Sequence, residues 1–166
     1  MKSKWAAGIA PRNFAWIIKD RLAVSERPGG HARTHRRVRR SEEIIWLREQ
    51  GFSRVVSMLA SPHNLHAYEE LGVRGVHRPL GPHDDPRQVL AALYPELRSW
   101  LAEGPVLLHQ EELSDAVQGV VAGYLVWVGL VPPPEQAIAV VEQLNGRQIG
   151  PPGRTLVAVA AELAAG

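Results

Sequence analysis

The feature that most constrains this chain is the run Val106-Leu107-Leu108-His109, followed by a short polar loop and then by a long apolar stretch from Val117 onwards. A short, continuous apolar run of this kind suits a strand buried on both faces, as at the centre of a parallel sheet. The stretch at 117–130 is apolar on every side, which suits a buried helix. A strand that ends in a loop and feeds a helix places free backbone N–H groups and the positive end of the helix dipole at the loop. Such a junction is a natural anion site. The rest of the chain must then supply neighbouring strands and covering helices.

It does so in alternation. Residues 13–18 and 22–24 read as short strands divided by Lys19-Asp20-Arg21, and Pro28-Gly29-Gly30 breaks the chain after them. A helix is predicted to open at Ser41 as N-cap, with Glu42 and Glu43 in its first turn and Gly51 at its end. Residues 54–59 and 75–78 are β-branched strand candidates, with helical character at 63–71 between them. At 86–102, Val89, Leu90, Leu93, Leu97, Trp100 and Leu101 recur at helical spacing. Pro134 suits the first position of a helix reaching about Leu144, and a last helix is expected over 152–163. Strands separated by helices predict an α/β fold with a largely parallel sheet flanked by helices. No repeat or long linker divides the 166 residues, so 1–166 is expected to form a single domain.

Composition narrows the chemistry. The chain has no cysteine, which excludes disulfides, thiolate metal sites and any thiol nucleophile. No segment reaches the roughly 20 apolar residues of a membrane span, and no leader-like run is seen. The expectation is a cytoplasmic protein without membrane attachment. All but three of the nineteen Lys and Arg residues are arginine, and the net charge is only +2.

Several stretches share order and spacing with a known family. They are Asn13-Phe14-Ala15-Trp16, Leu22-Ala23-Val24-Ser25 with Pro28-Gly29, and the segment from Leu47 through Gly51-Phe52-Ser53-Arg54 to Met58. Tyr68-Glu69-Glu70-Leu71-Gly72-Val73 and His77-Arg78-Pro79-Leu80 follow, then Val106 and His109, Ala122, Tyr124 and Leu125, Ala137-Ile138 and Arg147. In this the chain resembles the cysteine-dependent dual-specificity and protein tyrosine phosphatases. Their phosphate-binding loop reads His-Cys-five residues-Arg: a thiolate attacks phosphorus, loop amides hold the equatorial oxygens, and the arginine grips two of them.

The resemblance places that loop at His109, Gln110, Glu111, Glu112, Leu113, Ser114, Asp115 and Ala116. Gln110 then stands at the cysteine position, Ala116 at the arginine position and Leu113 at a glycine position. A carboxamide cannot form a phosphoenzyme, and alanine offers no donor. The resemblance therefore implies a pseudophosphatase that acts by binding a protein partner, with no cofactor. Glu112 and Asp115 put negative charge near the loop, and one carboxylate about 5 Å from one phosphate charge opposes binding by ~3 kcal/mol at an effective dielectric of about 20. Ser114 and Asp115 are also N-cap residue types. The loop is expected to be capped by its own side chains and to exclude phosphate.

Other candidates weigh less. Asp84 and Asp85, after His83, fall where the family's general acid would lie, and a turn capping the helix from Pro86 is the simpler expectation. His63 and His66 are spaced for a metal on one helical turn, but no third ligand is near in sequence and no metal is expected. His109 is expected to bond loop backbone. Arg33, Arg36, Arg37, Arg39 and Arg40, with His31 and His35, form the densest cationic cluster; Arg36, Arg37, Arg39 and Arg40 are its candidate binding residues. It would suit a nucleic acid or another anion, or pair internally with Glu42 and Glu43. A further alternative is a hydrolase that reuses the cleft with the carboxylates of Glu111, Glu112, Asp115 and Asp84 or Asp85.

Overall fold

A computed structural model describes residues 8–30, 33 and 35–166. His31, part of the cationic cluster, lies outside them. Two compact units are distinguished: one holds the described chain up to Pro79 with Trp100–Leu113, the other Leu80–Ser99 with Ser114–Gly166.

The first unit carries the sheet. Its strands are β1 (Ala15–Ile18), β2 (Leu22–Ser25), β3 (Arg54–Ser57), β4 (Gly75–His77) and β5 (Val106–His109), in the order β1-β2-β5-β3-β4. β1 pairs antiparallel with β2 through a tight turn in which Asp20 takes a left-handed φ of 63°. All other pairings are parallel. β5 is central, as its uninterrupted apolar run requires, and all four of its residues are buried. Helices α1 (Arg37–Glu49) and α2 (Leu65–Glu70) lie over one face. There Ala23, Leu107 and Val55, aligned across β2, β5 and β3, meet Ile44 and Leu47 of α1 and Tyr68 of α2.

α1 departs from the sequence expectation. Ser41 is not its N-cap, and Glu42 and Glu43 are not in its first turn; the helix begins five residues earlier, with an extended Arg36 at the cap position. The cause is Glu43. Its side chain is only 2% exposed, and its carboxylate accepts from the Gly29 amide at 2.6 Å and from Arg39 Nε at 2.6 Å. A buried carboxylate needs such partners. Arg39 can serve only if it lies one helical turn before Glu43, so the helix must include it.

The second unit holds the start of α3 (Pro86–Glu103) with α4 (Asp115–Trp127), α5 (Pro134–Asn145) and α6 (Pro151–Ala165). α4 starts two residues earlier and ends three residues earlier than its apolar run suggests, and Gly129 just beyond it takes a φ of 85°. Residues 117–126 of α4 are all buried. α4 and α6 meet backbone to backbone at Gly119 and Gly153: a Cβ on Gly119 would lie 2.5 Å from the Gly153 carbonyl oxygen and 2.6 Å from its Cα. On α3, Tyr94 donates to the Val120 carbonyl at 2.8 Å, and its ring contacts those of Tyr124 and Trp127. Among the described residues no helix is long and apolar enough to cross a membrane.

The end of β5 is held by a buried polar chain. Ser25, His109 and Ser57 lie side by side where β2, β5 and β3 end, all fully buried. His109 Nδ1 is 3.1 Å from the Gln110 carbonyl, which can only accept, so this nitrogen carries the proton. Nε2 must then accept from the Tyr68 hydroxyl, 2.7 Å away. Tyr68 in turn accepts from Asn64 Nδ2 at 3.3 Å, and Asn64 Oδ1 accepts from Arg27 Nε at 3.1 Å. Asn64 also donates to the Pro28 carbonyl at 2.8 Å. Every donor direction is thereby fixed, and His109 must stay neutral.

Two expectations follow. Burial holds the His109 imidazole down at about 4, against an ordinary value of 6.5. The unfolded chain therefore binds a proton between those values that the folded chain refuses. The contribution of His109 leaves stability undiminished above pH 6.5 and lowers it by roughly 3 kcal/mol as the pH drops towards about 4. Urea titrations across that range should show the slope, and His109→Gln should lessen it by up to about 1.4 kcal/mol per pH unit. Gly119→Ala forces backbone from backbone, with no side chain able to yield. It should cost ~1–3 kcal/mol and several degrees of Tm in a thermal melt.

Candidate functional site

The strand–loop–helix junction carries the candidate site. On its strand side, the His109 carbonyl accepts from the Met58 amide at 2.9 Å, which continues the β3–β5 ladder one step past the strands. Gln110, where a nucleophile would stand by the resemblance, is half-buried, and its Nε2 reaches the Met58 carbonyl at 3.4 Å. Glu111 is drawn to Arg27: its carboxylate is 3.5 Å from Arg27 Nη1, and its carbonyl accepts from the Arg27 amide at 3.2 Å. Glu112 is exposed. Leu113 is buried, with 3% of its surface exposed.

Leu113 needs no special backbone. Among the described non-glycine residues, only Asn13, Asp20 and Asn64 have a left-handed φ. The loop accommodates the Leu113 side chain by burying it.

On the helix side, Ser114 is the N-cap of α4 and its Oγ accepts from the Val117 amide at 3.2 Å. One of the donors an anion would use is therefore already occupied. Gln118 Nε2 donates to the Ser114 carbonyl at 3.3 Å and bonds Asn145 through its carbonyl oxygen at 3.2 Å. Asp115 does not cap α4. Its Oδ1 accepts from the Gly150 amide at 2.8 Å, at the residue that begins α6. An acid in the first turn of α4 suits the dipole there, and its hydrogen bond serves the entry to a different helix.

The remaining candidates are placed as follows. Asp84 Oδ2 accepts from the Gly81 amide at 2.7 Å, and Asp85 Oδ1 from the Arg87 amide at 3.0 Å. Both carboxylates thus shape the turn that opens α3. His66 pairs with Glu70 at 2.8 Å on the exposed side of α2. Among the described residues no three His, Cys, Asp or Glu side chains converge as a metal site would require.

The arginine cluster is divided. Arg39 is paired with Glu43, as the internal-pairing reading anticipates for that residue. Arg36 donates to the carbonyls of Arg33 at 2.8 Å and His35 at 3.0 Å. Arg37 is exposed and Arg40 half-buried. His35 is held below its ordinary pKa by burial and by the nearby charges of Arg27 and Arg40, with Glu111 acting in the opposite sense.

Sequence reasoning missed Arg27 and Asn64, the residues that join the loop to α2. Arg27 is 8% exposed and sits between a glutamate and a proline, with nothing local to mark it. Asn64 leaves one trace: it precedes a helix, where Asn tolerates the left-handed backbone it adopts, with φ 73°.

No protein-family model matches the chain, and no curated protein sequence does. Solved structures do match. Kinase-associated phosphatase, solved with its catalytic-site cysteine replaced by serine, superposes with a TM-score of 0.75 at 19% identity, over 95% of this chain and 98% of its own. TpbA of P. aeruginosa, in complex with phosphotyrosine, gives 0.70 at 17% identity over the whole of both chains. Human DUSP28 gives 0.65 at 15% identity, over 93% of this chain and 96% of its own. With a central parallel strand ending in the His109 loop and a buried helix after it, the chain has the fold of the dual-specificity and protein tyrosine phosphatases.

Proposed function

We propose that the protein is a pseudophosphatase: a non-catalytic protein of phosphatase fold that acts by binding a protein partner. The observation that carries this reading is the absence of cysteine from the sequence. The family mechanism needs a thiolate at the end of the central strand, and Gln110 stands in that place. Ala116 stands where an arginine would grip the phosphate, so both the nucleophile and the bidentate clamp are replaced.

The loop's own contacts support a site that excludes phosphate. Ser114 occupies an amide that would face the anion, and Glu112 and Asp115 put negative charge near the loop. Four of the five carboxylates that a repurposed hydrolase could draw on are engaged elsewhere. Glu111 faces Arg27, Asp115 holds Gly150, and Asp84 and Asp85 accept from backbone amides. A general base must be free to take a proton from bound water.

Hydrolysis of p-nitrophenyl phosphate should not exceed buffer. A rate that survives repurification and is lost in Glu112→Gln or Asp115→Asn would replace this reading with the carboxylate hydrolase. Restoring the two missing groups alone, by Gln110→Cys with Ala116→Arg, should leave turnover near background. The occupied amide and nearby carboxylates would still oppose a dianion held tightly in the transition state. Adding Leu113→Gly, Glu112→Ala and Asp115→Gly should raise turnover above that of the double variant, with a thermal melt to confirm that the entry to α6 holds. Robust turnover from the double variant would show an intact phosphate cradle and overturn the phosphate-excluding loop.

A further inference from the structure

The first turn of α1 carries charge of the wrong sign for its position. The N-terminal end of a helix favours acids and disfavours cations. α1 has no acidic residue in its first turn and no side-chain cap, and Arg36, Arg37, Arg39 and Arg40 all stand at that end. One of the four is neutralised, Arg39 by Glu43. Arg36 is bonded to two carbonyls, which leave its charge uncompensated. Arg37 and Arg40 have no carboxylate partner among the described residues, and Arg40 Nε and His35 Nε2 are shielded from solvent without a hydrogen bond. Repulsion is thus built into the fold here. Natural proteins tolerate such local conflict mainly where function requires it.

An apolar residue sits among the charges. Val38 is 72% exposed, more than any other large hydrophobic side chain of the described residues. Arg36, Arg37 and Val38 are consecutive and all exposed at the tip of the helix. The patch is also short. Glu42 and Glu43 follow on the next turn, and Glu111 faces Arg27 and lies within the electrostatic reach of His35. A nucleic acid strand needs a continuous cationic track, with aromatic rings if its bases are to stack. Trp46, the aromatic residue of α1, is packed edge-on against Phe14 instead. A brief cationic tip with one apolar contact fits a short acidic peptide better.

We propose that the tip of α1 docks an acidic segment of a partner protein, its carboxylates on Arg36 and Arg37, with Arg40 behind them, and an apolar side chain on Val38. This rests on the reading that the protein acts by binding, and it places the contact away from the degenerate loop.

The test is fluorescence anisotropy on the full chain with a fluorescein-labelled peptide of alternating glutamate and leucine. Arg36→Glu with Arg37→Glu should weaken binding by about tenfold or more. The same double variant should keep or raise Tm, because acids at that helix end suit the dipole, so lost binding cannot be ascribed to lost folding. Val38→Ser should weaken binding several-fold, and raising salt from about 50 to about 200 mM should weaken it further. Three results would overturn the proposal: no saturable binding, binding unchanged in the charge-reversed variant, or a single-stranded RNA oligomer of equal charge binding more tightly than the peptide. The aryl phosphate assay reads the loop alone. A failure here therefore leaves the phosphate-excluding loop standing, and a failure there leaves this surface standing.

Discussion

The hydrogen bond from the Tyr68 hydroxyl to His109 Nε2 ties helix α2 to the end of the central strand. Both groups are fully buried, so neither can turn to water if the other is lost. The bond also sets the histidine's tautomer, which directs Nδ1–H at the Gln110 carbonyl and fixes the first peptide of the loop. Burial raises the tyrosine's pKa as it lowers the histidine's. Both rings therefore stay neutral, and no charge has to be compensated at the centre of the sheet. Arg27 and Asn64 extend the chain to the turn at Pro28. Removing one member would leave its neighbours unsatisfied, which makes the network cooperative rather than a set of separate bonds.

The loop beyond β5 is occupied by its own side chains: a serine cap, a buried leucine and a small alanine. The acidic residues are used as structural acceptors. Asp115 provides the clearest case, since its carboxylate lies so close to Gly150 that any Cβ there would meet it at 2.5 Å. A glycine and an aspartate far apart in sequence are thus matched to one contact. The loop thus has hydrogen-bonding duties of its own.

Glu43 shows how one buried charge can reset local structure. Helix-start rules applied to 41–51 favour Ser41 as the cap, with two glutamates behind it. The buried carboxylate instead recruits Arg39 and the Gly29 amide, and the helix extends backwards to include its partner. This draws the arginines into the first turn of α1. The interaction that anchors the helix thereby creates the electrostatic conflict at its tip.

The sequence by itself determined the order of the elements and the position of the central strand. Apolar periodicity, Gly51 and Pro134 mark helices and their ends, and the continuous apolar run at 106–108 marks a strand buried on both faces. It also determined that no thiol chemistry is possible, because a functional group absent from every side chain needs no structure to be excluded. Tertiary structure decided where the charges went. Arg27 joined Glu111, Asn64 entered the core through a left-handed turn, Asp115 crossed to Gly150, and Glu43 pulled the start of α1 five residues back. Periodic burial is a local property that neighbouring residues report to one another along the chain. The partner of a buried polar group is chosen by hydrogen-bond geometry between segments tens of residues apart, and nothing in the local sequence carries that distance.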